Sequence, residues 1–349
     1  LHLSLRRQRQ MCIRDRRMKR QLFRKLFAVV LISIIFSMLI MTSNVQAMTP
    51  KTTGPNLNEI LETEEKIMMY DAKTDETKEV DVEELRQVLS SQNKARGGSF
   101  DSIAPYDPYA NSNMRQNEAT PLAADSAERV TNTYNFPNRV TCRIESQEIY
   151  GTCAIVGPNV GLTAAHCVFN KDNGNAAYKN WTIYPGYNNG TYYGTPCGWD
   201  KVYYSSKWME THSDQYDWAI CVLQSDVGKQ LGWFGVQSYG SNSELKNVNV
   251  RVYGYPGDTN YGFPSDARYQ YTTGEKITSV GDRYFRYSGW TFGGFSGGPI
   301  ARTSDNYIVG IHFGLVWNTP TGVRITQEMI DIISCLLYTS DAADEGLGV

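Results

Sequence analysis

An all-β fold closed by one C-terminal helix is the architecture this sequence predicts, and three observations carry it. Short runs rich in Val, Ile, Tyr and Thr recur, as in Val248-Asn249-Val250-Arg251-Val252-Tyr253 and Tyr307-Ile308-Val309-Gly310-Ile311. Alternation within these runs is the period of strands with one buried face. Gly, Asn and Pro interrupt them and supply the turns. Within residues 119–334 only Thr326-Gln327-Glu328-Met329-Ile330-Asp331-Ile332-Ile333 reads as a helix, with Thr326 as N-cap and polar residues in the first turn.

Taken in order, the 349 residues divide by composition. Residues 1–17 and 335–349 read as translated sequencing adapter. Arg6-Arg7-Gln8-Arg9-Gln10-Met11-Cys12-Ile13-Arg14-Asp15 can be encoded so that its reverse complement, read one base out of frame, gives Cys335-Leu336-Leu337-Tyr338-Thr339-Ser340-Asp341-Ala342-Ala343-Asp344. The two ends of a natural protein have no reason to be antisense copies, so Met18 is the expected start and the native C-terminus is expected to be missing.

Residues 18–47 carry Lys19, Arg20 and Lys25, an apolar run over 26–41, then Val45-Gln46-Ala47. That is the pattern of a secretory signal cut after Ala47, which would meet the membrane only in transit. An uncleaved anchor is the alternative, since the run approaches the ~18 residues of a spanning helix. Residues 48–118 turn polar and acidic, with almost no aromatics before Phe100, and lack the means to bury a core of their own. They read as a propeptide, with a short helix expected over 81–90 and a linker over 91–121. Residues 119–334 are the size of one domain.

The chain has 34 Lys+Arg against 36 Asp+Glu, a net charge of −2. With no basic cluster outside the first 25 residues, nucleic acid is not an expected partner. No glycine-rich phosphate loop is present, so no cofactor is expected, and the cysteine spacing does not suit zinc. Loops at Asp258 and Asp266 offer no supported metal site. A monomer acting on protein or peptide is the expectation.

Three words carry chemistry: Leu162-Thr163-Ala164-Ala165-His166-Cys167, Tyr216-Asp217-Trp218-Ala219-Ile220 and Gly293-Gly294-Phe295-Ser296-Gly297-Gly298-Pro299. A serine hydroxyl is a poor nucleophile until a neighbouring histidine takes its proton, and the histidine needs a carboxylate to orient it. Ser296, His166 and Asp217 supply one of each. Asp217 leads directly into an apolar run, so it is poised to go inside, where only a partner such as His166 makes a carboxylate tolerable. Glycines around Ser296 let the N–H groups of Gly294 and Ser296 converge on a developing oxyanion. The constellation implies a serine endopeptidase. A silent binding module of the same fold is the alternative from another class, and it would not need all three residues together.

These words resemble the chymotrypsin-like serine proteases, and within them the glutamyl endopeptidases secreted by Gram-positive bacteria. The resemblance runs from about Arg129 to Ile333 and includes Gly254-Tyr255-Pro256-Gly257-Asp258, Ile311-His312-Phe313-Gly314 and Thr321-Gly322-Val323-Arg324-Ile325-Thr326. It implies two six-stranded antiparallel β-barrels, with the C-terminal helix packed on the second. It implies that His312 and Thr291 receive a substrate Glu carboxylate, less often Asp; the same machinery with another preference is the alternative. Of the five cysteines outside the expected adapter residues, Cys142, Cys153, Cys167, Cys197 and Cys221, the resemblance implies a Cys153–Cys167 bridge fixing His166. An extracellular zymogen follows, and a cut after Glu118 would suit its own specificity. Phe295 stands where animal digestive proteases carry Asp, so activation through a buried ion pair to a new N-terminus is excluded.

Overall fold

The computed structural model describes residues 64–87, 102–110 and 127–344. The expected adapter residues 1–17, the signal segment 18–47 and the expected cut after Glu118 lie outside the described residues.

Two antiparallel sheets organise the chain. In the first, neighbouring strands run Thr182–Pro185, Thr141–Glu145, Tyr150–Gly157, Val160–Thr163, Ala219–Leu223 and Trp199–Ser205. Ile144, Ile155, Leu162, Ile183 and Ile220, each from a different strand, are almost fully buried and fill its centre. In the second, the order is Ile277–Val280, Tyr284–Tyr287, Thr319–Arg324, Tyr307–Val316, Pro299–Arg302, Val250–Gly254 and Tyr271–Thr273. Val252, Phe285, Phe295, Ile300 and Val309 form its apolar centre. This is the chymotrypsin-like double β-barrel. Phe295 belongs to that second core.

The sheets are larger than six and six. The first counts eight strands and the second ten, because short strands add to their edges. Ile67–Asp71 pairs residue for residue with Trp199–Ser205, and Glu76–Val80 folds back on it. Ser102–Ile103 pairs with Gly235–Gln237, which runs parallel to Tyr307–Val316. The acidic segment therefore buries no core of its own but shares the barrel's: Ile67, Met69 and Tyr70 are each about 95% buried. Residues 102–110, expected as linker, are packed rather than free. A helix occupies 82–87, where one was expected over 81–90. Asp81 caps it, its carboxylate accepting from the N–H groups of Glu83 and Glu84 at 2.8 and 3.1 Å.

Helices depart from expectation in three respects. Ser206–Thr211, Val227–Leu231 and Asn242–Leu245 form turns too short for an amphipathic period; Ser205 caps the first and a Ser241–Glu244 capping box starts the last. The terminal helix runs on, from Gln327 to Asp344. It lies against strands of the first sheet, Tyr150–Gly157, Val160–Thr163 and Ala219–Leu223, and against Ser102–Ile103 of the second, where packing on the second barrel was expected; Leu336 and Leu337 pack on the shared core. Among the described residues no helix is long and apolar enough to cross a membrane.

Candidate active site

The strand Val160–Thr163 leaves the first barrel core and delivers a 3-10 turn, Ala165–Cys167, whose Ala165 and Cys167 are buried and whose His166 is half-buried. A second 3-10 turn, Asp214–Tyr216, ends at Asp217 just before the buried strand Ala219–Leu223. Burying a carboxylate there is tolerable because it is fully used. One oxygen of Asp217 accepts from the backbone N–H of His166 at 2.9 Å, and the other lies 2.5 Å from His166 Nδ1. Gripping backbone and ring together fixes the imidazole plane. Burial works against a charged ring, but the Asp217 charge and the Cys167 sulfur outweigh it and lift the His166 pKa well above the usual histidine value.

Ser296 enters from the second barrel. Thr152, on a first-barrel strand, ties the loop down: its N–H donates to Ser296 O at 2.9 Å, its hydroxyl donates to Gly294 O at 2.7 Å and accepts from Tyr255 N–H at 3.1 Å. Thr163 Oγ1, three residues before His166, donates to Thr152 O at 2.7 Å. The loop is thus seated against the segment that carries His166. No hydrogen bond joins Ser296 Oγ to His166 in this structure.

Two peptide planes in the loop are locked from one side. Gly293 O accepts from Gly257 N–H at 2.9 Å, and Phe295 O accepts from Gly298 N–H at 2.8 Å. The C=O and N–H of a trans peptide point in opposite directions, so the N–H groups of Gly294 and Ser296 are turned away from those partners. Neither makes a backbone hydrogen bond among the described residues. Gly294 has φ +103°, and a Cβ there would stand 2.1 Å from the Tyr255 carbonyl oxygen. Only glycine fits this turn.

A pocket of about 810 Å³ opens beside Ser296, lined by Thr291, His312, Gly293 and the more exposed Trp290, Tyr261 and Leu315. His312 is 2% exposed. Its Nδ1 lies 2.9 Å from Tyr287 Oη, and its backbone is stitched to the Ser296 loop through Gly297 N–H to His312 O at 2.8 Å and His312 N–H to Gly298 O at 2.9 Å. Burial, helped by the nearby His166 charge, pushes its pKa down to about 3, so the ring is neutral. The ring also meets the Thr321 backbone, and its tautomer sets which way the Tyr287 bond runs. Thr291 is buried beside it.

The bridge expected between Cys153 and Cys167 is absent: Cys142, Cys153, Cys167, Cys197 and Cys221 are all free thiols. Cys142 and Cys153 face each other across neighbouring strands. Burial raises the thiol pKa values of Cys142, Cys153 and Cys221, which keeps them protonated. Asp217 does the fixing that the bridge was expected to do. Thr152 and Tyr287 escaped the sequence reading because a lone Thr or Tyr in a strand carries no distinguishing word; only the fold makes them partners of the site.

A profile of the trypsin-like peptidase domain matches residues 151–311. The extracellular metalloprotease of Bacillus subtilis is 29% identical over 223 residues, covering 61% of this chain and 68% of that protein. The glutamyl endopeptidase of Bacillus licheniformis is 29% identical over 225 residues, covering 60% and 66%. The chain thus spans about two thirds of each curated relative. A solved structure of Glu endopeptidase in complex with MPD superposes with a TM-score of 0.55 at 23% identity, covering 63% of this chain and all of that one, and shows the shared fold.

Fold and domain together define a chymotrypsin-like serine endopeptidase. Residues 151–311 carry the trypsin-like peptidase domain, and the chain is similar to glutamyl endopeptidase. The name of the Bacillus subtilis relative implies a metal in that protein. Among the described residues here, no three His, Cys, Asp or Glu side chains converge as a metal site would require, and no step below runs through one.

Proposed function

We propose that this chain is a secreted serine endopeptidase that cleaves proteins and peptides after Glu, and less often after Asp. The observation that supports it most is the double grip of Asp217 on His166, at 2.9 and 2.5 Å, beside a pocket that holds Ser296, Thr291 and His312 together.

In this reading the substrate closes the remaining gap by pressing Ser296 Oγ toward His166 Nε2, as catalytic hydrogen bonds that are loose in a free enzyme tighten on binding. Ser296 Oγ bonds to the scissile carbonyl carbon while its proton passes to Nε2. The oxyanion so formed is held by the N–H groups of Gly294 and Ser296. The carbon–nitrogen bond then breaks, and His166 returns the proton to the leaving amine. Water repeats the cycle on the acyl-enzyme, giving up its proton to His166, and frees the acid and Ser296. Asp217 stabilises the imidazolium without itself taking the proton.

Specificity comes from a neutral donor set. His312 Nε2–H and the Thr291 hydroxyl give two hydrogen bonds to the Glu carboxylate, and Tyr287 holds the tautomer by donating to Nδ1. A site built for that anion leaves donors unpaired when an apolar residue enters, which penalises it strongly. The extracellular place of action agrees with the signal-like residues 18–47 and with the printed name of the Bacillus subtilis relative.

The experiment is cleavage of a peptide library by protein secreted from a gene starting at Met18, with a Ser296→Ala control. Cuts after Glu that vanish in the control are expected. Cuts after other residues would keep the triad and discard His312 as carboxylate receptor. No cuts from folded wild-type protein would favour a silent binding module.

A further inference from the structure

Residues 64–110 are described in two stretches, and both are built into the protease rather than draped over its cleft. The first extends the first barrel's sheet: Ile67 to Asp71 pair with Ser205 to Lys201, and Tyr70 packs edge-on to Phe169 at 5.7 Å. Lys179 of the protease donates to Tyr70 Oη at 2.8 Å and to Asp75 at 2.5 Å. Glu65 reaches across to Arg283 of the second barrel at 2.5 Å, and Arg86 meets the buried Asp331 of the terminal helix at 2.8 Å. The second stretch pairs Ser102–Ile103 with Gly235–Gln237, and Tyr106 exchanges both backbone hydrogen bonds with Trp233, at 3.0 and 2.9 Å, under a ring contact of 4.5 Å.

The protease surface is shaped for this passage. A Cβ on Gly232 would stand 2.2 Å from Tyr106 O, so the groove floor there must lack a side chain. Arg139, 2% exposed, points its guanidinium at Asp107 and lies over the Tyr109 ring at 4.9 Å. Removal of Asp107 would leave that buried cation without its carboxylate, which is costly. Removal of residues 67–71 would bare the edge of Trp199–Ser205 and the apolar patch under Ile67, Met69 and Tyr70. None of the described residues in 64–87 and 102–110 lines the Ser296 pocket.

We infer that the stretches 64–87 and 102–110 form a resident strand donor: once the chain is cut between 110 and 127, they stay bound as a second chain without entering the Ser296 pocket. The inference builds on the proteolytic reading only in supposing that such a cut occurs. It predicts a two-chain mature enzyme, where a detachable inhibitor would predict a single chain and a cleft blocked before cutting.

The test supplies the cut itself, so that it does not depend on self-cleavage. A recognition site for a sequence-specific protease is placed within residues 111–126 of the Ser296→Ala chain, the purified protein is cut, and the products are separated by size exclusion and weighed by denaturing mass spectrometry. The donor fragment is expected to co-elute one to one with the protease, and to remain at 1 M salt because strand pairing and apolar burial are little screened. Tyr70→Ala in the donor is expected to speed its loss at least tenfold. A fragment that elutes alone, leaving a protease with unchanged melting temperature, would overturn the inference. In the chain with Ser296 intact, cutting is expected to change kcat/KM less than twofold; a tenfold gain would mean that the segment blocks the cleft. Hydrogen exchange on the uncut natural sequence gives an independent reading: protection of 67–71 matching that of 201–205 is expected, and exchange of 67–71 within seconds would contradict it.

Discussion

Replacing Gly294 by Ala separates catalysis from binding. The added Cβ would sit 2.1 Å from Tyr255 O and 3.1 Å from Pro256 Cα, both main-chain atoms that cannot swing aside, at a φ of +103°. A left-handed backbone costs a non-glycine residue about 1–2 kcal/mol before any contact is counted. The cheapest relief is rotation of the 293–294 peptide, which breaks the 2.9 Å Gly257–Gly293 hydrogen bond and turns the Gly294 N–H out of the oxyanion site. Loss of one such donor costs about 10²–10³ in kcat, or about 2.7–4 kcal/mol of transition-state stabilisation. KM should move less than threefold, because the donor acts on the oxyanion rather than on the bound carbonyl. Steady-state kinetics on a Glu-containing peptide amide, with a melting curve to confirm folding, decides it. A folded Gly294→Ala enzyme with wild-type kcat would refute the reasoning; so would a loss that appears only in KM.

Four further outcomes follow from the same geometry. Asp217→Asn should fold and lose about 10⁴ in kcat, because the His166 ring loses its orienting acceptor; activity within tenfold of wild type would contradict the role. His166 works as a base only when neutral and its pKa is raised, so kcat/KM should climb with pH through a midpoint above 6.5, and a midpoint below 6 by rate measurements would be inconsistent. The stabilising side of that shift is present below pH 6.5 and fades as pH rises through the folded value. His312 has the opposite sign: held near pKa 3, it stabilises the fold above pH 6.5 and that stability is lost as pH falls, by about 1.4 kcal/mol per pH unit. Urea titrations should therefore show a steeper acid loss in wild type than in His312→Gln, and parallel curves would count against a buried neutral ring. Thr152→Val leaves Tyr255 N–H and Gly294 O unpaired inside the protein, with an expected cost of about 1–3 kcal/mol in stability and a fall in kcat; an unchanged melting temperature would show that the clasp is idle.

What was legible in the sequence was local. His166, Asp217 and Ser296 each stand in a short word whose residue types make chemical sense alone, and the fold brings two of them into contact with the third in the adjoining loop. The two barrels were legible through strand alternation and through resemblance. Strand count was not, because Ile67, Met69 and Tyr70 are three apolar residues in an acidic stretch, and their partner strand lies more than 130 residues away. The terminal helix was read correctly at its start, but no periodicity says which barrel receives it. Thr152 and Tyr287 act through single hydrogen bonds to residues far along the chain, and a one-dimensional pattern carries no trace of such pairs. The cysteine bridge was an inference from resemblance, and here the cysteines are free thiols.

In the proposed mechanism Ser296 is the nucleophile, activated by His166 and Asp217. Treatment of the folded enzyme with a fluorophosphonate, followed by peptide mapping in a mass spectrometer, puts this to the test. One adduct is expected, on Ser296, that abolishes hydrolysis and does not form in His166→Ala. An enzyme that still hydrolyses peptides with Ser296 unlabelled, or labelled at another serine, would contradict it.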